Sequence, residues 1–481
     1  MQVRPAGRPI KGFGGVTSGP QPLIDLQYSP LALTLSATPH RRYRHARMQS
    51  TDGRRLCSSA VRGTLSEQVG QTISISTIVD IMNLIGRCVV SGNVRRTAEI
   101  AFGSAGSQEY IDLKNYEVNP ERAAFGWVSN NSVFAEVGMD YEQICKRIEI
   151  NGEPGVAWLA NMQNFSRMDG KADGKDSKAL GGNPCLEQTL ESFELCCLVE
   201  TFPHKHTDLA DYLETLKYAF LYAKTVTLAS THWEASNAVM ARNRRIGCSM
   251  SGLAQFVSSR GIDELRQWCE EGYHAIQSLD QRLSRWLCIP QSIKTTCIKP
   301  SGTVSLLAGA TPGLHYPESR YYIRRVRLAK SSPLLPPLLS AGYDVEDAVG
   351  DTATAVVSFP IDAGEGIRTI SQLTLWEQLS FAAFLQRHWA DNQVSCTVTF
   401  DPETESRDIR HALNYFQYQL KGVSFLPRLK LGAYAQMPYE EISAECYGTM
   451  VSRLQPLVFT QARAADPEKE LFCDSSGCAA V

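Results

Sequence analysis

Two periodicities alternate along most of this chain, and that alternation limits the folds open to it. Leu209, Leu213, Leu216, Phe220 and Ala223 fall on one helical face, and so do Leu265, Trp268, Ile276, Leu279 and Leu283. Val394, Cys396, Val398 and Phe400 instead alternate with Ser395, Thr397 and Thr399, as in a strand with one buried face. Pro438 is placed to open another helix, carrying Ile442, Cys446 and Met450. Helices and strands in alternation predict an α/β fold with parallel strands. The pattern does not decide between an open sheet and a barrel. Cys269 and Cys396 lie on or near apolar faces and are read as core. No short repeat is present.

The bulk properties exclude several classes. A length of 481 residues suits one large α/β domain or two to three ordinary ones. A formal net charge of −2 gives no global footprint for nucleic acid. Fourteen scattered cysteines lack the density of a small secreted disulfide scaffold. No apolar run reaches transmembrane length. Arg4, Arg8 and Lys11 are not followed by the apolar core of a signal peptide. Reduced thiols in the cytoplasm, away from membranes, are therefore expected.

Residues 1–27 are rich in Gly and Pro and read as loop. Residues 28–72 form a basic insert open to disorder. In it Arg41, Arg42, Arg44, Arg47, Arg54, Arg55 and Arg62 are opposed only by Asp52, with no helical or strand periodicity over 34–62. A basic arm for nucleic acid, a solvated surface insertion and an unspliced insert all remain open there, and no function is assigned to it. Residues 73–463 carry the alternating patterns. Residues 464–481 are charged and then small and polar, a mobile tail.

The chemistry concentrates at Asn183-Pro184-Cys185-Leu186-Glu187 and at Cys196-Cys197 beyond it. Proline fixes its own φ and keeps Asn183 extended, so Cys185 sits in a forced bend. Asn183 adds a hydrogen-bonding amide, Glu187 a possible general base, and Cys196 a second thiol. Together they make a redox site that also moves protons. For a lone cysteine the alternative is a buried thiol in a turn.

The stretch NPCLEQTLESFELCCLVETFP resembles the finger loop of ribonucleotide reductases. Its form is similar to the class II, adenosylcobalamin-dependent ribonucleoside-triphosphate reductases. The resemblance extends through RPAGRPIKGFGGVTSGP near the start and IMNLIGRCVVSGNVRRTAEIAFG from Ile81. It continues in WVSNNSVFAEVGMDYEQI from Trp127, CIKPSGTVSLLAGATPGLHYPESRYYIRRVRLAK from Cys297, and a closing cysteine pair. It covers residues 1–27 and most of 73–481. Long motifs in family order are far more specific than any short pattern.

The resemblance implies a ten-stranded α/β barrel with the Cys185 loop threaded through its centre. It implies that a thiyl radical on Cys185 takes the 3′ hydrogen of a ribonucleoside triphosphate, with adenosylcobalamin as cofactor. Glu187 would take the 3′-hydroxyl proton, Asn183 would hydrogen-bond the substrate, and Cys196 would supply reducing equivalents. Cys197 is a weaker reductant candidate, because adjacent strand residues face opposite sides. Ser301, Gly302, Thr303, Val304 and Ser305 would hold the substrate phosphates. Read alone, that turn is a helix cap; it lacks the ending of a P-loop. Ser91, Gly92, Asn93, Arg95 and Arg96 would form the specificity loop that reports a bound deoxynucleoside triphosphate effector. Asn130, Asn131 and Ser132 look family-like without an evident role. Cys473 and Cys478 would re-reduce the site and pass the oxidation to thioredoxin; no further ligand pair is near them for zinc. Tyr321-Tyr322 is read as structural.

Relatives of this type carry a substantial region before RPAG, with the first part of the barrel, much of the effector site and the redox partner of Cys196. Neither Cys57 nor Cys88 replaces that partner. The barrel is therefore expected to be incomplete in this chain. Two alternatives accompany the reductase reading. One is a truncated, non-catalytic nucleotide-binding remnant. The other is a plain thiol oxidoreductase, which needs only the cysteine pairs.

Overall fold

The computed structural model describes residues 57–66, 68–90, 97–349, 351–428 and 436–458, with the backbone of 26–27, 472–474 and 477–479. The strands used below are β1 (Glu99–Ser104), β2 (Ser129–Phe134), β3 (Gly155–Ala157), β4 (Leu198–Thr201), β5 (Gly247–Met250), β6 (Tyr321–Ala329), β7 (Asp344–Ala348), β8 (Asp351–Asp362), β9 (Thr397–Phe400), β10 (Gly422–Pro427) and β11 (Tyr439–Glu441). The helices are α1 (Ile75–Val90), α2 (Leu209–Val226), α3 (Ile262–Leu287), α4 (Leu375–His388) and α5 (Ala444–Ser452).

One wall of strands organises the molecule. β1, β2 and β3 run parallel, and β3 meets β10 antiparallel through Ala157 opposite Gly422. β10 and β9 are parallel. Parallel bridges from Val394 to Ile298 and from Thr296 to Cys248 carry the wall on to β5, which pairs parallel with β4. The order is thus β1-β2-β3-β10-β9, the segment 296–298, β5, β4, with one antiparallel junction. The predicted α/β class with parallel strands holds. Among the described residues eight segments make the wall, and its two ends do not pair with each other. Leu26–Gln27 lies antiparallel along β1.

Helices cover the outer face because their apolar stripes match it. Tyr212, Leu216, Phe220 and Ala223 of α2 and Leu265, Trp268, Ile276, Leu279 and Leu283 of α3 are buried in one core with Val394, Cys396, Val398 and Phe400. Cys269 and Cys396 are core, as expected. Asp208 caps α2, and Thr374 with Glu377 closes a capping box on α4. Trp389, fully buried, donates its indole N–H to the carbonyls of Cys248 and Cys297 at 3.1 and 3.0 Å, tying α4 to the wall.

Three local differences from expectation have physical reasons. The helix expected at Pro438 opens at Ala444, because Ser443 accepts the Cys446 N–H and supplies the cap. Tyr439–Glu441 instead joins an antiparallel sheet in the order β7-β8-β6-β11, which helix–strand alternation does not foretell. Residues 57–66, within the basic insert, are helical. Burial and the neighbouring Cys88 thiol push Cys57 up to about 11, so this helix lies against α1. Tyr321 and Tyr322 pack on Tyr447 and Tyr439. Among the described residues no helix is long and apolar enough to cross a membrane.

Candidate active site

The thiol loop is a hairpin laid on the inner face of the wall. Gly181–Gly182 pairs antiparallel with Thr189–Leu190, and the tip closes with Leu186 N–H donating to the Asn183 carbonyl at 2.8 Å. Leu186 takes φ 58, a left-handed conformation that the tight turn imposes. Its side chain packs with Ile100, Phe102, Ala157 and Met162, from the β1–β3 side. From the other side β10 approaches at Gly422, where a Cβ would lie 2.6 Å from Leu186 Cδ2. Both parts of the wall therefore grip the tip. Asn130 on β2 adds a direct tie, donating from Nδ2 to the Pro184 carbonyl at 2.8 Å.

The base of the hairpin is held by a buried ionic clasp. Arg245, fully buried just before β5, donates to Asp176 Oδ1 and Oδ2 at 2.6 and 2.8 Å and to Glu194 Oε1 and Oε2 at 2.8 and 3.1 Å. Asp176 and Glu194 bracket the loop in sequence, so one guanidinium closes both ends. Its planar fork suits two bidentate pairs. Burial works to raise the Asp176 carboxyl, but the Arg245 charge and hydrogen bonds outweigh it and hold it low. Asn392 and Gln393 complete the seat: Asn392 Oδ1 accepts from Arg245 at 3.1 Å, and Gln393 N–H donates to the Glu187 carbonyl at 3.1 Å.

Asn183, Cys185, Glu187 and Cys196 come together here. Asn183 Nδ2 donates to Cys196 Sγ at 3.7 Å, and its Oδ1 accepts the Gln188 N–H at 2.9 Å. Cys185 faces solvent at the tip. Partial burial and the Glu187 charge push its thiol up to about 11, against the pull of Lys299. Cys196 also opens to solvent, and its thiol is raised well above its ordinary value, first by desolvation and then by Glu187. Cys197 turns into the core, donating to the Ala223 carbonyl at 3.4 Å. Burial raises the Glu187 carboxyl, and Asn183 and Lys299 only partly offset it. Glu187 Oε2 is shut off from solvent without a partner, free to receive a proton.

A second loop, 299–313, lies beside this cluster: the Lys299 charge acts on Cys185, Glu187 and Cys196 together. Ser301 takes φ 51, a strained left-handed conformation for a residue with a Cβ. The Ser305 hydroxyl is buried and unpartnered, and the buried Ser301 hydroxyl lies beside the Glu200 carboxyl. Gly302 is half-buried, and Thr303 and Val304 are exposed. The helix Val304–Leu307 is a single turn, so any anion held here depends on loop N–H groups and hydroxyls rather than on a long helix dipole.

Ser91, Gly92, Asn93, Arg95 and Arg96 lie outside the described residues. So do the side chains of Cys473 and Cys478, whose backbones stand opposite each other in a short hairpin. Among the described residues no cluster of His, Cys, Asp or Glu is arranged to hold a metal. Sequence reading did not single out Lys299, Arg245, Asp176, Glu194 or Glu200. Lys299 carried a signal, its place inside CIKPSGT. Glu194 and Glu200 carried one too, their place inside NPCLEQTLESFELCCLVETFP, whereas Asp176 and Arg245 carried none, since an ion pair spanning 69 positions shows only in the fold.

No family model matches the chain. A probable adenosylcobalamin-dependent ribonucleoside-triphosphate reductase of Dictyostelium discoideum is 56% identical over 484 residues, covering 100% of this chain and 60% of that protein. The adenosylcobalamin-dependent ribonucleoside-triphosphate reductase of Euglena gracilis is 54% identical, covering 99% of this chain and 62% of the relative. A crystal structure of a B12-dependent, class II ribonucleotide reductase superposes with TM-score 0.74 at 32% identity, over 85% of this chain and 61% of that one. The alpha subunit of the Actinobacillus ureae class Id ribonucleotide reductase shares the fold at TM-score 0.52 and 14% identity. The wall, the hairpin laid on it and the superposition together define a ribonucleotide reductase fold. The chain is similar to that family, and within it to the class II enzymes, the relatives here being those whose names state adenosylcobalamin dependence. It spans about three fifths of the length of the curated relatives it matches.

Proposed function

We propose that this chain carries the catalytic part of an adenosylcobalamin-dependent ribonucleoside-triphosphate reductase, forming 2′-deoxyribonucleoside triphosphates as DNA precursors. One observation carries the reading: Cys185 is a solvent-facing thiol pushed up to about 11, beside a buried, unpartnered Glu187 oxygen. A nucleophilic or disulfide-exchanging cysteine works as a thiolate and has a lowered pKa. A thiol held neutral keeps its S–H bond for hydrogen-atom chemistry. That favours the reductase over a plain thiol oxidoreductase.

Adenosylcobalamin suits the site in that Cys185 stands open at the tip rather than sealed in the hairpin. When bound, it supplies the carbon-centred radical that the protein's side chains cannot generate. Cys185, as a thiyl radical, takes the 3′ hydrogen of the ribose. Glu187 Oε2 accepts the 3′-hydroxyl proton. Cys196 and its redox partner thiol together supply two reducing equivalents, closing a disulfide as the 2′-hydroxyl leaves as water, and Asn183 orients both Cys196 and the substrate. The 301–305 loop holds the phosphates. Ser91, Gly92, Asn93, Arg95 and Arg96 answer to a deoxynucleoside triphosphate effector. Cys473 and Cys478 restore the reduced site at the expense of thioredoxin, in the cytoplasm.

The test is deoxynucleotide formation from ribonucleoside triphosphate with adenosylcobalamin and dithiothreitol, with nucleotide binding measured alongside. Product in the wild type and none in Cys185→Ser supports the reading. Binding without product in the wild type makes the chain a nucleotide-binding remnant. Replacing Cys473 and Cys478 by Ser is expected to spare turnover driven by dithiothreitol and remove turnover driven by thioredoxin.

A further inference from the structure

Glu200, on β4 just beyond the thiols, has no part in the chemistry above, yet it is joined to both ends of the 299–313 loop. Its Oε1 accepts from Ser251 Oγ at 2.6 Å and from Ser249 Oγ at 3.2 Å. A hydroxyl has one proton to give. Once both protons point at Glu200, the lone pairs of both serines are left for donors on the far side. Those donors are the two ends of the loop: Lys299 N–H gives to Ser249 Oγ at 2.8 Å, and Gly313 N–H to Ser251 Oγ at 2.9 Å. The other Glu200 oxygen is shut off from solvent and makes no hydrogen bond of regular geometry, and the hydroxyl of the strained Ser301 lies close enough to help hold the carboxyl down as a donor.

We propose that Glu200 is a positioning residue for phosphate binding: by orienting the Ser249 and Ser251 hydroxyls it fixes both ends of the 299–313 loop, and its carboxyl sets the charge beside the Ser301 hydroxyl. This rests on the phosphate-loop reading above. Gln255 holds the loop separately, accepting from Thr311 N–H at 2.8 Å and donating to the Gly309 carbonyl at 3.0 Å. Loss of Glu200 should therefore loosen the loop rather than unfold it.

Burial pushes the Glu200 carboxyl up to about 7, against the pull of its serines and Lys299. The other ionisable groups facing it are Lys299, Tyr212 and the thiols of Cys248 and Cys297. The tyrosine and both thiols are raised and stay neutral through this range. Below pH 7 Glu200 is a neutral acid; above it a carboxylate opposes a phosphate anion. Triphosphate affinity should then fall as pH rises through 7. The ligand's own phosphate titrates nearby, so the comparison is with Glu200→Gln, which keeps an acceptor oxygen and stays neutral.

Calorimetric binding of a ribonucleoside triphosphate and of the matching nucleoside, at pH 6 and pH 8, tests this on the full chain. Glu200→Ala is expected to weaken the triphosphate by about tenfold or more, as for a lost hydrogen bond to a charged group, and leave the nucleoside within about twofold. Wild-type affinity is expected to drop about three- to tenfold more between the two pH values than that of Glu200→Gln. Equal losses for nucleoside and triphosphate in Glu200→Ala, or identical pH profiles for wild type and Glu200→Gln, overturn the inference alone. A wild type in which the triphosphate binds no better than the nucleoside overturns the phosphate-loop reading itself.

Discussion

The two loops that meet at Lys299 are held in opposite ways. The thiol loop is closed at its base by charges that satisfy one another, Arg245 between Asp176 and Glu194, all buried. The 299–313 loop is closed by hydroxyls that pass a single carboxylate oxygen's influence to two backbone N–H groups. A buried ion cluster paired in this way has one low-energy arrangement, in which the Arg245 charge holds the Asp176 carboxyl low while burial still raises that of Glu194. A hydroxyl relay under a carboxylate near pH 7 can change its charge in the working range. Hydrogen-atom transfer needs a thiol fixed in place, whereas phosphate binding and release tolerate adjustment. The support under each loop matches the chemistry proposed for it.

Cys185→Ser is the harshest challenge to that division. A hydroxyl O–H bond is too strong for the radical exchange a thiol supports, so turnover should vanish while nucleotide binding at the other loop persists. Deoxynucleotide formation by this variant would take Cys185 out of the mechanism. Glu187→Gln keeps the shape and removes the base, and turnover should fall by about 10²–10⁴-fold. A drop of less than about threefold would make Glu187 a turn-stabilising group like Asn183.

The clasp itself can be broken. Arg245→Met leaves Glu194 buried without its cation and Asp176 with only Lys294 at 4.0 Å, and global stability should fall by about 3–5 kcal/mol, measured by urea unfolding. Glu200→Gln, at the other loop, should change stability by less than about 1 kcal/mol, because its hydrogen bonds survive. Equal losses would erase the contrast between the two supports.

Much of this was legible in the sequence, for identifiable reasons. Apolar stripes read locally, so α2, α3 and the strand through Val398 were placed from spacing alone. The thiol loop was legible because Pro184 restricts the bend around Cys185 and because the quoted motifs resemble a known family. The antiparallel sheet of β6, β7, β8 and β11 was not, since its pairing depends on residues as far apart as Arg324 and Tyr439. Pro438 misled because proline opens a helix only where a cap follows, and here the cap is Ser443. Asp176, Glu194 and Arg245 are ordinary charged residues in sequence. Only the fold shows that water cannot reach them.

The smallest expected effect bears on where the thiol loop's position is decided. The clasp lies at the base of the hairpin, and Asn130 reaches its tip from β2, donating to the Pro184 carbonyl one residue before Cys185. If the base alone positions the thiol, the Asn130 hydrogen bond is incidental, for the side chain is exposed and water can replace it. If the tip must also be pinned, losing the donor lets Cys185 drift while the fold stays intact. A neutral hydrogen bond contributes about 0.5–1.5 kcal/mol net, so Asn130→Ala should lower turnover by about two- to tenfold with no change in melting temperature. Asn130→Asp keeps the size but turns an acceptor toward a carbonyl, and should be the worse of the two. The diagnostic is a fall in kcat with unchanged nucleotide affinity, since the 299–313 loop is held by other groups. Turnover equal to wild type in both variants would place the whole task of positioning Cys185 on the clasp and on the packing around Leu186.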